Sequence, residues 1–381
     1  MTFSFYETRM KPTSIEGLVE PTTQGLVITT ADLENDQSGQ AFLWYVGRPR
    51  SIHKESDTIL RNPIEHEGRL LVVCGRSRIN GLLFGRGTGI GDLTNLQVMY
   101  RGVVEGISSW QNQLIIAKAS TQYITTDEKV YQGGFENIEI GVLQEGKFRE
   151  CMVLPRQVHA VIQGTEPILH TMYPYWWPDN FGEIIQLQGT PFNPQRKERF
   201  TYKTGSEAPY SIGIYQGAIV LGKVGELLFL RDGKQAIVNR IVSDLHKKWE
   251  DLSLRQILSN LGRSQRPSNE EIDMIADNSR PILKQHGIAL EDDCELYYSE
   301  AVVNAIEEEY AVRHIVEYNG EVFYAMGRRL YSLHQDTPLW TFRNTITGLG
   351  VLSEELLKKT KGKASVRRGR SAMRTMMQRA A

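Results

Sequence analysis

The sequence predicts a mainly β fold in which small antiparallel sheets stand around a ring, with one helical interruption and a basic end. Three observations carry this. A short turn motif, typically an aromatic or polar residue, an amide and a glycine, recurs six times. A strongly β-prone run follows each copy. The copies are regularly spaced except across one acidic stretch with helical patterning.

The motif reads TQGLVITT, HEGRLLVV, WQNQLIIA, IQGTEPILH, YQGAIVLG and YNGEVFYA, with its small residue at Gly25, Gly68, Asn112, Gly164, Gly217 and Gly320. The intervals are 43, 44, 52, 53 and 103 residues. An apolar residue lies just upstream at Ile64, Ile107, Val158, Ile212 and Ile315. Each copy therefore reads as a hairpin: a strand, a two-residue turn that needs φ > 0, and a second strand. The fourth copy is the weakest, because Pro167 interrupts its strand. A further strand is expected at GLLFG, TQYITT, GEIIQL, ELLFL and RRLYSL.

A small sheet alone cannot bury both of its faces. Stacking between neighbours buries them, and closing the ring removes exposed sheet edges. In period and strand pattern, over roughly residues 20–345, the chain resembles the β-propeller superfamily, in the loose manner of kelch and WD40 repeats. Their Trp-Asp and double-glycine signatures are absent. The resemblance implies a fold and no particular activity. Six blades are expected. A seventh stays open if FSFYE near the start pairs with PLWTF near the end.

The interval of 103 residues has its own explanation. Residues 244–261 carry Leu245, Trp249, Leu252, Ile257, Leu258 and Leu261 near helical spacing, with Ser243 placed as N-cap and Gly262 just beyond. Ser268 to Glu271 has capping-box spacing and opens a second helix that Pro281 ends. A third helix is expected over residues 300–310. The division is thus 1–243 for five blades, 244–310 for an acidic helical insertion, 311–357 for the last blade and ring closure, and 358–381 for a flexible basic tail.

Composition sets the outer limits. The 381 residues are 40% hydrophobic and 23% charged, which is ordinary for a soluble globular protein. No apolar run is long enough to cross a membrane, and the start lacks a signal sequence, so a cytoplasmic or other intracellular place is expected. Three scattered cysteines, Cys74, Cys151 and Cys294, fit a reducing compartment. The net charge of −1 hides an asymmetry: the tail carries +9, the insertion −8 and the remainder −2.

Few motifs carry chemistry. FGRGTGIGD (residues 84–92) lacks the Lys-Ser/Thr of a phosphate loop and reads as a flexible turn between strands. DLENDQSG (residues 32–39) lacks the later ligands of a calcium loop and reads as an acidic hairpin tip. The eight histidines show no metal-ligand spacing, although His159 and His170 flank the fourth hairpin and could meet at the ring axis. No catalytic, cofactor or metal residue is assigned, and no cofactor is expected.

Two segments stand out as binding surfaces. YPYWWPD (residues 173–179) puts four aromatics and two prolines into seven residues, and Tyr175, Trp176, Trp177 and Asp179 are its candidate partner-binding residues. The tail offers Lys358, Lys359, Lys361, Lys363, Arg367, Arg368, Arg370, Arg374 and Arg379 to a nucleic acid or an acidic partner. Elsewhere no matching basic patch is visible. The expected function is a non-enzymatic scaffold with protein partners, nucleic-acid contact through the tail and homo-oligomerisation left open. The alternative is a propeller enzyme or carbohydrate-binding protein with its site at the axial mouth.

Overall fold

In the computed structural model, described for residues 24–32, 37–45, 47–56, 59–75, 87–95, 97–119, 138–154, 157–162, 166–172, 181–203, 209–231, 234–240, 309–335 and 337–357, the strands form six four-stranded antiparallel sheets. Each sheet is one blade. The first contains β1 (Gly25–Asp32), β2 (Gln37–Tyr45) and β3 (Arg48–Ser56), with β24 (Thr345–Leu352) beside β1. The second runs through β4 (Leu60–His66), β5 (Arg69–Cys74), β6 (Gly87–Asp92) and β7 (Gln97–Val104). The third holds β8 (Gly106–Trp110), β9 (Gln113–Ala119), β10 (Ile138–Gln144) and β11 (Lys147–Leu154).

The fourth blade is β12 (Gln157–Ile162), β13 (Ile168–Met172), β14 (Phe181–Thr190) and β15 (Asn193–Lys203). The fifth is β16 (Ser211–Tyr215), β17 (Ala218–Lys223), β18 (Glu226–Arg231) and β19 (Lys234–Arg240). The sixth is β20 (Val312–Tyr318), β21 (Glu321–Met326), β22 (Arg329–Ser332) and β23 (Trp340–Thr341). The strands β24, β4, β8, β12, β16 and β20 pack one against the next in a closed circuit, so they line the centre. The protein is a six-bladed β-propeller. The strand containing PLWTF is β23, the outer strand of blade six, and FSFYE lies outside the described residues.

The period-two alternation of the strands explains the closure. On β1, Leu26 and Ile28 pack on blade six, while Val27 between them packs on blade two. On β17, Val220 faces blade six, while Ile219 and Leu221 face blade four. On β21, Phe323 and Ala325 face blade one, whereas Val322, Tyr324 and Met326 face blade five. Successive side chains on a strand point to opposite faces, so a strand that is apolar at every position needs a neighbour on both sides. The remaining seams, between blades two and three and between three and four, are filled by Ile64, Leu71, Ile107 and Ile116 and by Trp110, Ile140, Leu169 and Ile185.

Four copies of the sequence motif are two-residue turns with both φ values positive: Glu67-Gly68 (49° and 65°), Gln111-Asn112 (47° and 59°), Gln216-Gly217 (47° and 76°) and Asn319-Gly320 (54° and 74°). A fifth such turn, Glu145-Gly146, joins β10 to β11. The fourth copy spans a longer connection, and its second strand starts only after Pro167. The first copy is no hairpin. Gly25 simply begins β1, and the inner strand it should follow comes from the other end of the chain. Two further expectations are corrected. GTGIGD is itself β6, and the third strand of blade three is β10 rather than TQYITT, which lies outside the described residues. The hairpin expected at residues 32–39 is the β1–β2 connection.

The aromatic loop with Tyr175, Trp176, Trp177 and Asp179, the basic tail and the insertion up to residue 308 also lie outside the described residues. Residues 309–310, at the end of the third expected helix, are helical.

Candidate functional site

The six inner strands all run the same way, which gives the disc two unlike faces. Near their ends, Glu65 of β4 accepts hydrogen bonds from Ser353, just after β24, with Ser353 Oγ at 2.6 Å. His66 Nδ1 meets Ser109 Oγ of β8 at 2.9 Å. Gln111 Nε2 donates to the Gly189 carbonyl of blade four (3.1 Å), and Glu317 of β20 accepts from the Gln216 amide (3.1 Å). Near their starts, Thr347 Oγ1 of β24 donates to the Leu60 carbonyl of β4 (2.5 Å), and Ser211 Oγ of β16 donates to the Val312 carbonyl of β20. Starts meet starts and ends meet ends. Two of the signature turns therefore do double service: they reverse the chain, and the Gln111 side chain and the Gln216 main-chain amide tie one blade to the next.

We call the face at the strand ends the turn face and the opposite one the loop face. Second-to-third-strand connections and crossings to the next blade all join strand ends at the loop face. These include residues 76–86, 120–137, 173–180 and 241–308. The strand ends Met172 and Phe181, which bracket the aromatic loop, lie at this face, as do Arg240 and Val312, which bracket the insertion. On the turn face, connections such as Glu67-Gly68 and Glu145-Gly146 are tight.

Residues 309–311, which lead into β20, are held by several contacts. Tyr310 is buried, its carbonyl accepts from the Gly225 amide at 2.8 Å, and Ala311 bridges to Val224 of blade five. Arg329 reaches Glu309 at 3.5 Å and lies over the Tyr310 ring at 5.9 Å. Burial pushes the Tyr310 hydroxyl above its ordinary pKa, with Arg329 working in the other direction. The last described residues lie at the other face. After β24, Ser353 caps a single helical turn at residues 354–357, its hydroxyl oxygen accepting from the Leu356 amide (3.3 Å), and Leu356 and Leu357 are buried against the blade one–two seam.

At the loop-face end of the axis, four inner strands carry a β-bulge: at Asn62-Pro63 in β4, at His159 in β12, at Arg313 in β20 and at Thr347 in β24. Bulges re-aim side chains and concentrate beside functional sites. The described side chains near these bulges include two cations, Arg61 and Arg313, and the imidazole of His314. Arg313 stacks on the Tyr210 ring at 5.6 Å, and half-buried His314 hydrogen-bonds with the main chain of Ile346. Burial first, then Arg313 and Arg61, lower the His314 pKa to about 3, while the Ile346 bond works against them. Carboxylates are supplied by the inner strands only as Glu65 and Glu317, both at the turn face and both engaged between blades. Of the sequence candidates, His170 is buried in β13, a second strand, away from the axis. Among the described residues no group of three His, Cys, Asp or Glu could hold a metal ion. No helix among them is long and apolar enough to cross a membrane.

His314 makes acid destabilising. The native state holds it neutral, whereas the unfolded chain takes up a proton near pH 6.5. Stability from this group is therefore full above that pH and falls as pH drops towards about 3, by at most about 1.4 kcal/mol per unit. Urea unfolding at pH 7 and pH 5 should show His314→Gln losing less stability on acidification than the parent. Equal losses would mean that His314 is accessible to protons in the folded ring.

The Gly-rich stretch has a structural explanation. A side chain at Gly89 would strike the Tyr100 carbonyl of β7, and one at Gly91 the Cys74 sulfur. Asp92 ends the strand, its carboxylate accepting from the amides of Thr94 (2.8 Å) and Asn95 (3.1 Å).

No family profile matches the sequence, and no curated protein is similar to it. Among solved structures, the chain is similar to the periplasmic gluconolactonase PpgL of Pseudomonas aeruginosa, at 10% identity and a TM-score of 0.44, over 87% of this chain and 99% of that one. It is also similar to Chaetomium thermophilum Sqt1, solved bound to the N-terminus of ribosomal protein L10, at 10% identity and a TM-score of 0.32, over 75% and 64% of the two chains. Likenesses this distant carry no functional argument, and the propeller assignment rests on the strand order and the closed circuit of inner strands.

Proposed function

We propose that the protein is an intracellular, non-enzymatic scaffold that holds protein partners on its loop face and engages a further partner through its tail. The observation that supports this is the unequal use of the two faces. The long connections issue from one face of a rigid ring, among them the Trp176-Trp177 loop and the acidic insertion. Many loops on one rigid support suit several simultaneous partners, and exposed indoles are effective interface anchors. The cationic tail leaves from the opposite face, so it can dock on nucleic acid or an acidic surface without obstructing the loops. Such a part suits a larger nucleoprotein or viral assembly.

The test is affinity purification from the native host with the parent, Trp176→Ala/Trp177→Ala, and a chain lacking residues 358–381. The double variant should melt with the parent and lose a defined set of proteins. The tailless chain should lose a salt-sensitive set. Recovery of identical sets by all three at every ionic strength would overturn the proposal. A large fall in melting temperature of the double variant would place the indoles in the core.

The bulged inner strands favour a second reading, a small-molecule site at the axial mouth in a propeller enzyme or carbohydrate-binding protein. Since cations rather than carboxylates gather there, its ligand would be anionic.

A further inference from the structure

Charge in this ring is sorted by strand position. The outermost strands β3, β7, β11, β15, β19 and β23 together carry twelve Lys/Arg against three Asp/Glu. The other eighteen strands carry seven against eight. The outermost strands thus carry +9, whereas the rest of residues 1–243 and 311–357 carries −11. No linear stretch displays all of it, because the cations come from the outermost strands of five blades, one to four from each, and blade six adds none. Arg48, Arg50, Arg101, Lys147, Arg149 and Lys197 are exposed. Arg196 is spoken for by Glu183 at 3.1 Å.

Two further observations mark this band as a contact surface. All four large hydrophobic residues exposed among the described residues, Val98, Val153, Phe192 and Trp340, lie on or beside outermost strands. The Arg149 guanidinium lies over the Phe192 ring at 5.2 Å, at the junction of blades three and four. Edge strands commonly carry charge, Lys above all, to prevent pairing with other sheets, yet seven of the twelve cations here are Arg, the side chain that forks onto phosphate oxygens. A four-to-one excess of cations, in a chain with nearly equal numbers overall, needs an additional reason.

We propose that the rim binds the phosphate backbone of a nucleic acid, independently of the tail. The chemistry fits a polyanion laid along a curved band: guanidinium and ammonium groups spaced around an arc neutralise successive phosphates, and interleaved apolar and aromatic groups supply faces for bases. The strand ends that bracket the acidic segment, Arg240 and Val312, sit at the loop face of blades five and six. The exposed cations Lys147, Arg149 and Lys197 lie on other blades, three and four.

The experiment uses the chain ending at Leu357, so that the tail cannot contribute, with fluorescent single-stranded RNA and duplex DNA of roughly 30 nucleotides at about 50 mM salt. The tailless protein should bind at least one of them. Reversing the rim with Arg48→Glu, Arg50→Glu, Lys147→Glu, Arg149→Glu and Lys197→Glu should weaken binding at least about tenfold. It should also flatten the salt dependence, by about 0.7 in the log–log slope for each phosphate of a single strand that is no longer neutralised. Should the reversed chain fail to fold, the pairs Arg48→Gln/Arg50→Gln and Lys147→Gln/Lys197→Gln carry the same test at smaller amplitude. No binding of either nucleic acid by the tailless chain would overturn the proposal, as would unchanged affinity in the rim variants. Equal binding of poly-glutamate would overturn it in favour of an acidic protein partner.

Discussion

A chain ending at Arg343 is expected to lose cooperative melting altogether, whereas a chain ending at Leu357 should melt with the full-length protein. The first truncation removes β24, the inner strand of the blade whose other three strands come from the N-terminus. That strand lies between β1, which it pairs from Gly25↔Leu352 to Ala31↔Thr345, and β4 of the next blade. Its loss uncovers two seams at once, since Ile346 belongs to the blade six–one core and Leu352 to the blade one–two core. Leu356 and Leu357 go with it. Four buried aliphatic side chains at about 1.5–3 kcal/mol each approach the whole stability of an ordinary domain. The β1 edge is also left with unpaired amides and carbonyls in the centre of the protein. Far-UV circular dichroism on heating separates the two truncations. Similar melting curves for both would mean that the ring closes by other means.

Gly350→Ala is the point substitution expected to cost most. Gly350 pairs with Val27, and a methyl group there would run into the backbone carbonyl of Pro63 on β4. Gly348, two residues earlier, would meet Pro63 Cδ at 2.6 Å and the Asn62 amide nitrogen at 2.8 Å. These glycines let the inner strands of blades one and two approach more closely than any side chain allows. Because the obstacle at Gly350 is backbone, no rotamer change relieves it, and the two blades must part. Overpacking of this kind costs about 3 kcal/mol, which lowers Tm by roughly 4–5 °C in a chain of this size. Gly47→Ala is the control. It has positive φ (72°) and open space around it, so it should lose only about 1–2 kcal/mol of backbone strain. If Gly350→Ala costs no more than Gly47→Ala, the centre is looser than described.

What was legible in the sequence follows from what is local. Two-residue hairpin turns need φ > 0, so they select Gly and Asn, and at Gly68, Asn112, Gly217 and Gly320 the requirement was visible. Their spacing then carried the blade count. The ring closure was less so, because TQGLVITT looks like its siblings while its inner strand lies more than three hundred residues away. Composition misled at GTGIGD: glycine there serves close approach to β7 and Cys74, and a pattern that normally signals a turn is a strand. The interblade role of Glu65, His66, Gln111 and Glu317 could not be seen, since each partner sits on a different blade. The same holds for the axial bulges and for the cationic rim. Both are properties of strands stacked side by side, and neither leaves a mark in any one stretch of chain.

The two faces, the rim and the departure of the tail all depend on the two ends of the chain sharing one blade. The most direct measurement is a disulfide between Ala31→Cys and Thr345→Cys, which are directly opposite one another on β1 and β24. Opposed residues of antiparallel strands stand about 4.5–5.5 Å apart at Cα, within disulfide range. Under mild oxidation, peptide mapping should recover residue 31 joined to residue 345 within a single chain. Absence of the bond, or its formation only between two chains, would contradict the closed ring.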